Sequence, residues 1–313
     1  MTAFPIPARL AAHSADRGGW LAALPDLVAG VARRWSLQLG PPFEPGGECS
    51  WVAPAVSAGH GDVVLKVGWV HDEARDEAAG LRVWNGHGAV RLLDAFAVGE
   101  TSALLLEPAT PGTPLSLLDG PEQDRVLAGL LRRLWVDPGA DHPFRPLHVM
   151  CDAWIEEARP GLGHLDPGLV RDGLALFGDL PRDATDQVLL ATDLHAENVL
   201  AARREPWLVI DPKPYVGDPA YDVVQHLLND PLRLTADPRG FARRMAALAG
   251  VDADRVAAWL FARCVVEAAW WPYDPVPVAT ALRPRRLSSR PVAGDGAGRA
   301  GRPRTGPRAA GCR

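Results

Sequence analysis

Three residues in one short stretch have the types and spacing for phosphate chemistry. In ATDLHAENVLAARREPWLVIDPK (191–213), Asn198 follows Asp193 by five positions, and Asp211 ends a second apolar run. An Asp can take the proton of an attacking hydroxyl. An Asn and a second Asp can hold Mg²⁺, a hard ion that takes one or two carboxylates and completes its shell with substrate phosphates. A strand over 198–201, a turn at Arg203-Arg204-Glu205-Pro206 and a returning strand over 207–210 would fold Asp211 back beside Asn198. One Asp or Asn in a loop is usually a turn former or a cap. Three of them bracketing a hairpin describe a Mg²⁺–nucleotide site. His195, two residues after Asp193, either orients Asp193 or its turn or simply packs.

The N-terminal third supplies a partner for that site. The chain has 31 arginines but only two lysines, Lys66 and Lys213. A codon bias toward Arg, Ala, Gly and Pro accounts for most of the imbalance, but not for where the two lysines stand. Lys66 lies in the apolar run VVLKV, where an uncompensated ammonium would be costly, so it must reach a phosphate or a carboxylate. Eleven residues later, Glu77 falls on a helix predicted over 72–84. At 100° per residue it points within about 60° of the stripe made by Ala74, Ala78 and Leu81. A strand lysine paired to an inward helix glutamate positions nucleotide phosphates. The GGECS turn (Gly46, Gly47, Ser50) precedes them and can cover phosphates with backbone N–H groups. Lys213, in IDPK, either neutralises charge near the γ-phosphate or pairs with Asp218 or Asp222.

These residues need elements to hold them. Residues 26–35 have amphipathic helical spacing, and 41–110 reads as short strands and turns apart from the 72–84 helix. PATPGTP (108–114) carries more Pro and Gly than a regular element tolerates and reads as a hinge. Beyond it, five segments show i, i+3, i+4 apolar spacing with acidic or Pro starts, interrupted by one island of strand over 188–211. The expected class is α+β: a small β-rich N-lobe (1–107), a hinge (108–114), and a larger, mainly helical C-lobe (115–280).

Composition agrees with such a body. The 313 residues are 47% hydrophobic and 23% charged, ordinary for a globular protein. No apolar run reaches the roughly 18 to 20 residues of a membrane helix, and MTAFPIPARL has no secretory pattern, so the expectation is a cytoplasmic protein without membrane or nucleic-acid partners, working as a monomer. The four cysteines form no CxxC, which argues against structural zinc or a disulfide framework. Residues 281–313 form an Arg/Gly/Pro-rich stretch expected to be disordered. From 283 onward it holds nine arginines and one acid, leaving a body of 24 basic and 37 acidic groups. That acidic body suits a cationic acceptor.

The full set resembles the aminoglycoside phosphotransferase branch of the protein-kinase-like fold, most of all the streptomycin 6-phosphotransferase and hydroxyurea phosphotransferase family of antibiotic-resistance kinases. CSWVAPA (49–55), VVLKVGW (63–69), LLLEPATPG (104–112), ATDLHAENVL (191–200), WLVIDPKPYVGDPAYDV (207–223) and ARCVVEAAWW (262–271) carry the resemblance. It implies a bilobal ATP-dependent O-phosphotransferase acting on a small antibiotic with Mg²⁺. It implies Asp193 as base, Asn198 and Asp211 as Mg²⁺ ligands, Lys66 on the phosphates anchored by Glu77, and adenine bound by backbone groups at Glu107 and just beyond. Ala191-Thr192 stands where many relatives have His-Gly, and the Arg-rich end stands where relatives continue in helix. A metabolic sugar or amino-alcohol kinase would share every one of these residues. A non-catalytic nucleotide binder is opposed by the intact Lys66, Asp193, Asn198 and Asp211.

Overall fold

The structure, a computed structural model, describes residues 4–14, 17–270 and 274–284. The chain opens with two helices, α1 (Ala8–His13) and α2 (Gly18–Arg34), the second running through Pro25 and so beginning earlier than the 26–35 periodicity indicates. Then come β1 (Leu37–Leu39), β2 (Ser50–Ser57), β3 (Gly61–Trp69), α3 (Glu77–Trp84), β4 (Leu92–Val98) and β5 (Thr101–Leu106). The strands form one antiparallel sheet in the order β1-β2-β3-β5-β4.

Strand alternation sorts the residues of β3. Leu65 and Val67 point to one face, where they pack with Leu24 and Val28 of α2 and Trp51 of β2. Lys66 points to the other face, with Leu104 opposite it in the register. That second face is closed by α3, whose Leu81 and Trp84 join the main core, and the Trp84 indole donates to Leu134 O at 2.8 Å. The helix predicted over 72–84 is shorter than its periodicity suggests. Residues 74–76 are a 3₁₀ turn and α3 starts at Glu77, and the Asp72 carbonyl ahead of them accepts from the Arg145 side chain.

The linker expected at 108–114 is partly a strand. β6 (Pro111–Pro114) pairs with β8 (Val199–Ala202), which pairs with β9 (Trp207–Val209). Two prolines fit there because β6 is the edge of that sheet and its register to β8 is broken. The helical lobe contains α4 (Gly120–Leu134), α5 (Leu147–Ala158), α6 (Pro167–Asp179), β7 (Val188–Leu190), β10 (Tyr215–Gly217), α7 (Pro219–Leu228), α8 (Pro231–Ala236), α9 (Pro238–Ala249), α10 (Ala253–Glu267) and α11 (Val276–Leu282). Asp119, Asp166, Asp218, Asp230, Asp237 and Asp252 cap α4, α6, α7, α8, α9 and α10, each accepting from an amide of the first turn. Of these acids, Asp218 and Asp237 open segments whose helical spacing was legible in the sequence.

The lobe extends past its expected end. α11 reaches Leu282 and packs on α10 and α9, and Arg283 bonds Asp172 at 2.6 Å. Residues 285–313, the rest of the stretch expected to be disordered, lie outside the described residues. Among the described residues no helix is long and apolar enough to cross a membrane.

Candidate active site

A cleft of about 320 Å³ lies between the lobes, bordered by Lys66, Glu77, Asp193, Asn198, Asp211 and Lys213. Gly47, Ser50 and His195 border it as well. Lys66 lies across the neck of the cleft, its ammonium 2.8 Å from both Glu77 oxygens and 2.6 Å from Asp211 Oδ1. The strand-to-helix ion pair expected from the sequence is therefore formed, and Lys66 also reaches the other lobe. Burial alone would lower the lysine pKa, but the two carboxylates raise it instead. Burial lifts Glu77 to about 7 against the pull of Lys66. The Asp211 carboxyl is held down to about 2, because Lys66 and Lys213 outweigh the desolvation that would raise it.

The other acid sits on a tightly held loop. Thr192 (φ 51°) and Asp211 (φ 53°) both adopt the left-handed conformation that side chains disfavour by about 1–2 kcal/mol. Asp222 stabilises the first of these turns. Its buried carboxylate accepts from the amides of Ala191 (2.9 Å) and Thr192 (2.7 Å) and from the Trp135 indole (3.0 Å). Burial raises that carboxyl to about 6, with the two amides pulling the other way. The amide of Lys213 closes the second turn on Ala191 O at 2.8 Å, and the Thr192 hydroxyl donates to Lys213 O at 2.5 Å. Asn198 comes beside Asp211 because Ile210 N bonds Asn198 O at 2.9 Å in the β8–β9 pairing. The Asn198 amide nitrogen donates to Asp193 O at 3.0 Å, which turns its oxygen away from Asp193.

Lys213 pairs with neither acid considered for it. Its ammonium is 3.0 Å from Asp193 Oδ2 and 3.5 Å from Glu73 Oε2. Asp222 is occupied by the loop amides, and Asp218 caps α7 while binding Arg255 and Trp259. His195 comes within 3.9 Å of Asp193 Oδ1, beside the carboxylate rather than in hydrogen-bond contact.

Two expected residues do not meet the cleft. The Glu107 amide donates to Arg91 O at 3.0 Å, and its carboxylate binds Arg204 of the β8–β9 turn at 3.1 Å, so Glu107 ties the lobe connection down and its N–H is not offered to a base. Gly46 (φ 80°) turns onto the N-terminal segment, where a Cβ would fall 2.4 Å from Pro7 Cβ. Only Gly47 of the glycine pair borders the cleft.

Several residues in and beside the cleft were not picked out from the sequence. Glu73 and Asp76, in the acidic run before α3, lie just outside the cleft lining and meet Lys213 at 3.5 Å and Arg145 at 3.1 Å. Gln225 lies three residues after Asp222 on α7, a spacing that puts both on one helix face and was the available signal. His71 stacks on Trp69 at 5.9 Å.

This arrangement can hold a nucleotide's phosphates between two lysines and present a carboxylate to a hydroxyl. A model of the aminoglycoside/hydroxyurea antibiotic resistance kinase family matches residues 34–274. The chain belongs to this family. It is 36% identical over 299 residues to the streptomycin 6-kinase of Streptomyces griseus, covering 90% of this chain and 95% of that one. It is 35% identical over 279 residues to the hydroxyurea phosphotransferase of Kitasatospora aureofaciens, covering 85% and 79%. Among solved structures, aminoglycoside phosphotransferase APH(3'')-Id of Streptomyces rimosus, in complex with ADP and streptomycin, aligns at a TM-score of 0.53 and 21% identity over 80% of this chain and 99% of that one. Choline kinase LicA of Streptococcus pneumoniae aligns at 0.56 and 12% identity, over 82% and 97%. At such identities the structural likeness speaks for the fold alone, and the fold is the α+β bilobal, protein-kinase-like one that the sequence predicted.

Proposed function

We propose that this protein transfers the γ-phosphoryl group of ATP to a hydroxyl of a small antibiotic, either an aminoglycoside of the streptomycin type at its 6-hydroxyl or hydroxyurea. The observation that carries the reading is the pair of acids held by separate lysines across one cleft: Asp211 by Lys66 at 2.6 Å, Asp193 by Lys213 at 3.0 Å. The two relatives named above support the choice of acceptor.

Asp193 takes the acceptor proton as the acceptor oxygen bonds the γ-phosphorus and the β–γ bridging bond breaks, releasing ADP. Lys66 sets the phosphates, anchored by Glu77, and the Gly47 and Ser50 edge of the β1–β2 turn covers them. Asn198 and Asp211 offer an amide oxygen and a carboxylate, a hard donor set suited to Mg²⁺. When bound, Mg²⁺ neutralises the charge that spreads over the transferring group. Lys213 supplies a second positive charge next to Asp193.

The test is ATP consumption against streptomycin, hydroxyurea, simple aminocyclitols, choline and sugars, with Asp193→Asn as control. Turnover should appear with one of the antibiotics and fall by about 10²- to 10⁴-fold in the variant. Nucleotide binding with no antibiotic turned over, or turnover confined to choline or a sugar, would sink the resistance assignment.

A further inference from the structure

One side of Asp193 is held by a group that the mechanism above does not use. Gln225 on α7 donates from Nε2 to Asp193 Oδ1 at 3.0 Å, and its Oε1 accepts from Arg263 Nη2 at 3.2 Å. The two ends of a glutamine amide look alike in shape, and its orientation is normally set by whatever surrounds it. Here the surroundings leave no choice. A guanidinium has donors only, so the amide oxygen must face Arg263 and the NH₂ must face Asp193.

Arg263 is itself immobile. It is 2% exposed in the middle of α10, bonds Glu267 at 2.6 Å and the Tyr221 hydroxyl at 2.5 Å, and lies 4.7 Å over the Trp154 ring. Glu267 is fixed in turn by the Trp270 indole at 2.9 Å. Arg263 Nε is the one buried side-chain polar atom among the described residues without a hydrogen-bond partner. A buried ion pair adds little to stability beyond what a packed apolar pair would give, and an orphaned Nε is a further cost. Packing does not explain why the guanidinium is there, whereas orienting Gln225 does.

We propose that Gln225 is the positioning residue for the Asp193 carboxylate, its amide locked in the donating orientation by the buried Arg263–Glu267 pair. The other groups around the carboxylate do not fix Oδ1: Lys213 and Asn198 Nδ2 approach Oδ2, at 3.0 and 3.5 Å, and His195 stands off Oδ1 at 3.9 Å. Without Gln225 the carboxylate can rotate about its bond to Cβ, and the oxygen that meets the acceptor hydroxyl is no longer set. Asp222 holds the backbone of this loop, and Gln225, one turn further along α7, holds its reactive side chain. The inference rests on the phosphotransferase reading.

The experiment compares wild type, Gln225→Met and Gln225→Glu with whichever antibiotic the wild type phosphorylates. Methionine keeps the volume and removes both bonds; glutamate keeps the bond to Arg263 and removes the donor to Asp193. Both variants should lower kcat on the order of 10- to 100-fold, the scale of a mispositioned reacting group. The ATP KM, ADP affinity by titration calorimetry and Tm should stay near wild type. A drop in Tm with kcat per folded molecule unchanged would make Gln225 structural and overturn the proposal. So would a Gln225→Glu enzyme with full kcat. A wild type that phosphorylates nothing overturns the phosphotransferase reading and this inference with it, whereas an active wild type with fully active variants overturns this inference alone.

Discussion

The Lys213 ammonium stands 3.0 Å from Asp193 Oδ2 and 3.5 Å from Glu73 Oε2, joining the acid of the loop to the opposite lobe. Lys66 does the same in reverse, reaching from Glu77 in its own lobe across to Asp211. Arg145 adds a third bridge, to Asp76 at 3.1 Å. Both lysines of the chain thus hold the lobes together at the point where phosphates would lie. A compact ammonium with three donors can join carboxylates that converge from different directions, a geometry that a planar guanidinium fork does not match.

Replacing Lys213 by methionine should lower kcat by about 10²-fold, the scale of one electrostatic donor lost from a reacting centre. Lys213→Arg should not restore it. Steady-state kinetics with parallel ADP titration separate this from lost nucleotide affinity, and an unchanged kcat would remove Lys213 from the chemistry.

Lys66→Met leaves Glu77, 4% exposed, without its cation. Stability should fall by about 3–5 kcal/mol, as expected for a broken buried pair. The double variant Lys66→Met/Glu77→Met should recover most of that stability and none of the ATP affinity. Urea denaturation and nucleotide titration read the two effects separately.

Gly80 lets α3 lie against Pro214, the residue after Lys213. A Cβ at that position would fall 2.4 Å from the Pro214 ring and 3.0 Å from Trp84. Gly80→Ala should therefore cost about 1–3 kcal/mol through overpacking and raise the ATP KM by displacing Glu77, one turn earlier. In α4, Gly129 has nothing within 4 Å of a Cβ, so Gly129→Ala should stabilise by up to about 1 kcal/mol. Opposite signs in the two thermal midpoints are the check.

His71 gives a pH dependence. Burial lowers its pKa from the ordinary 6.5 to about 4, and nearby Lys213 adds to the effect. Between those values the unfolded chain binds a proton that the folded protein refuses, so stability is lost as pH falls from about 6.5 to about 4. His71→Gln should flatten urea-denaturation stability over that window by about 2 kcal/mol. An equally steep loss in the variant would place the acid sensitivity elsewhere.

The sequence by itself made legible the strand that carries Lys66, the β8–β9 hairpin and several helices of the larger lobe, because those signals are local. Asp193 and Asn198 sit five apart in one turn, the β8–β9 hairpin returns Asp211 to Asn198, and apolar alternation sets which face of β3 carries Lys66. Asp218 and Asp237 marked where α7 and α9 start. Tertiary structure alone decided the partners. Lys66 and Asp211 are 145 positions apart, and no period in the sequence encodes their meeting. Whether Lys213 took Asp218, Asp222 or Asp193 depended on which acids were already committed to capping a helix or holding the loop. The Glu107 carboxylate and Gly46 turned from the cleft because Arg204 and Pro7, distant in sequence, arrived to pack on them. Arg263 interrupts the apolar run of α10, and only the folded lobe puts it against Gln225 and so gives the amide its direction. Spacing is a property of the chain, but a hydrogen-bond partner is a property of position in space, settled when the lobes close.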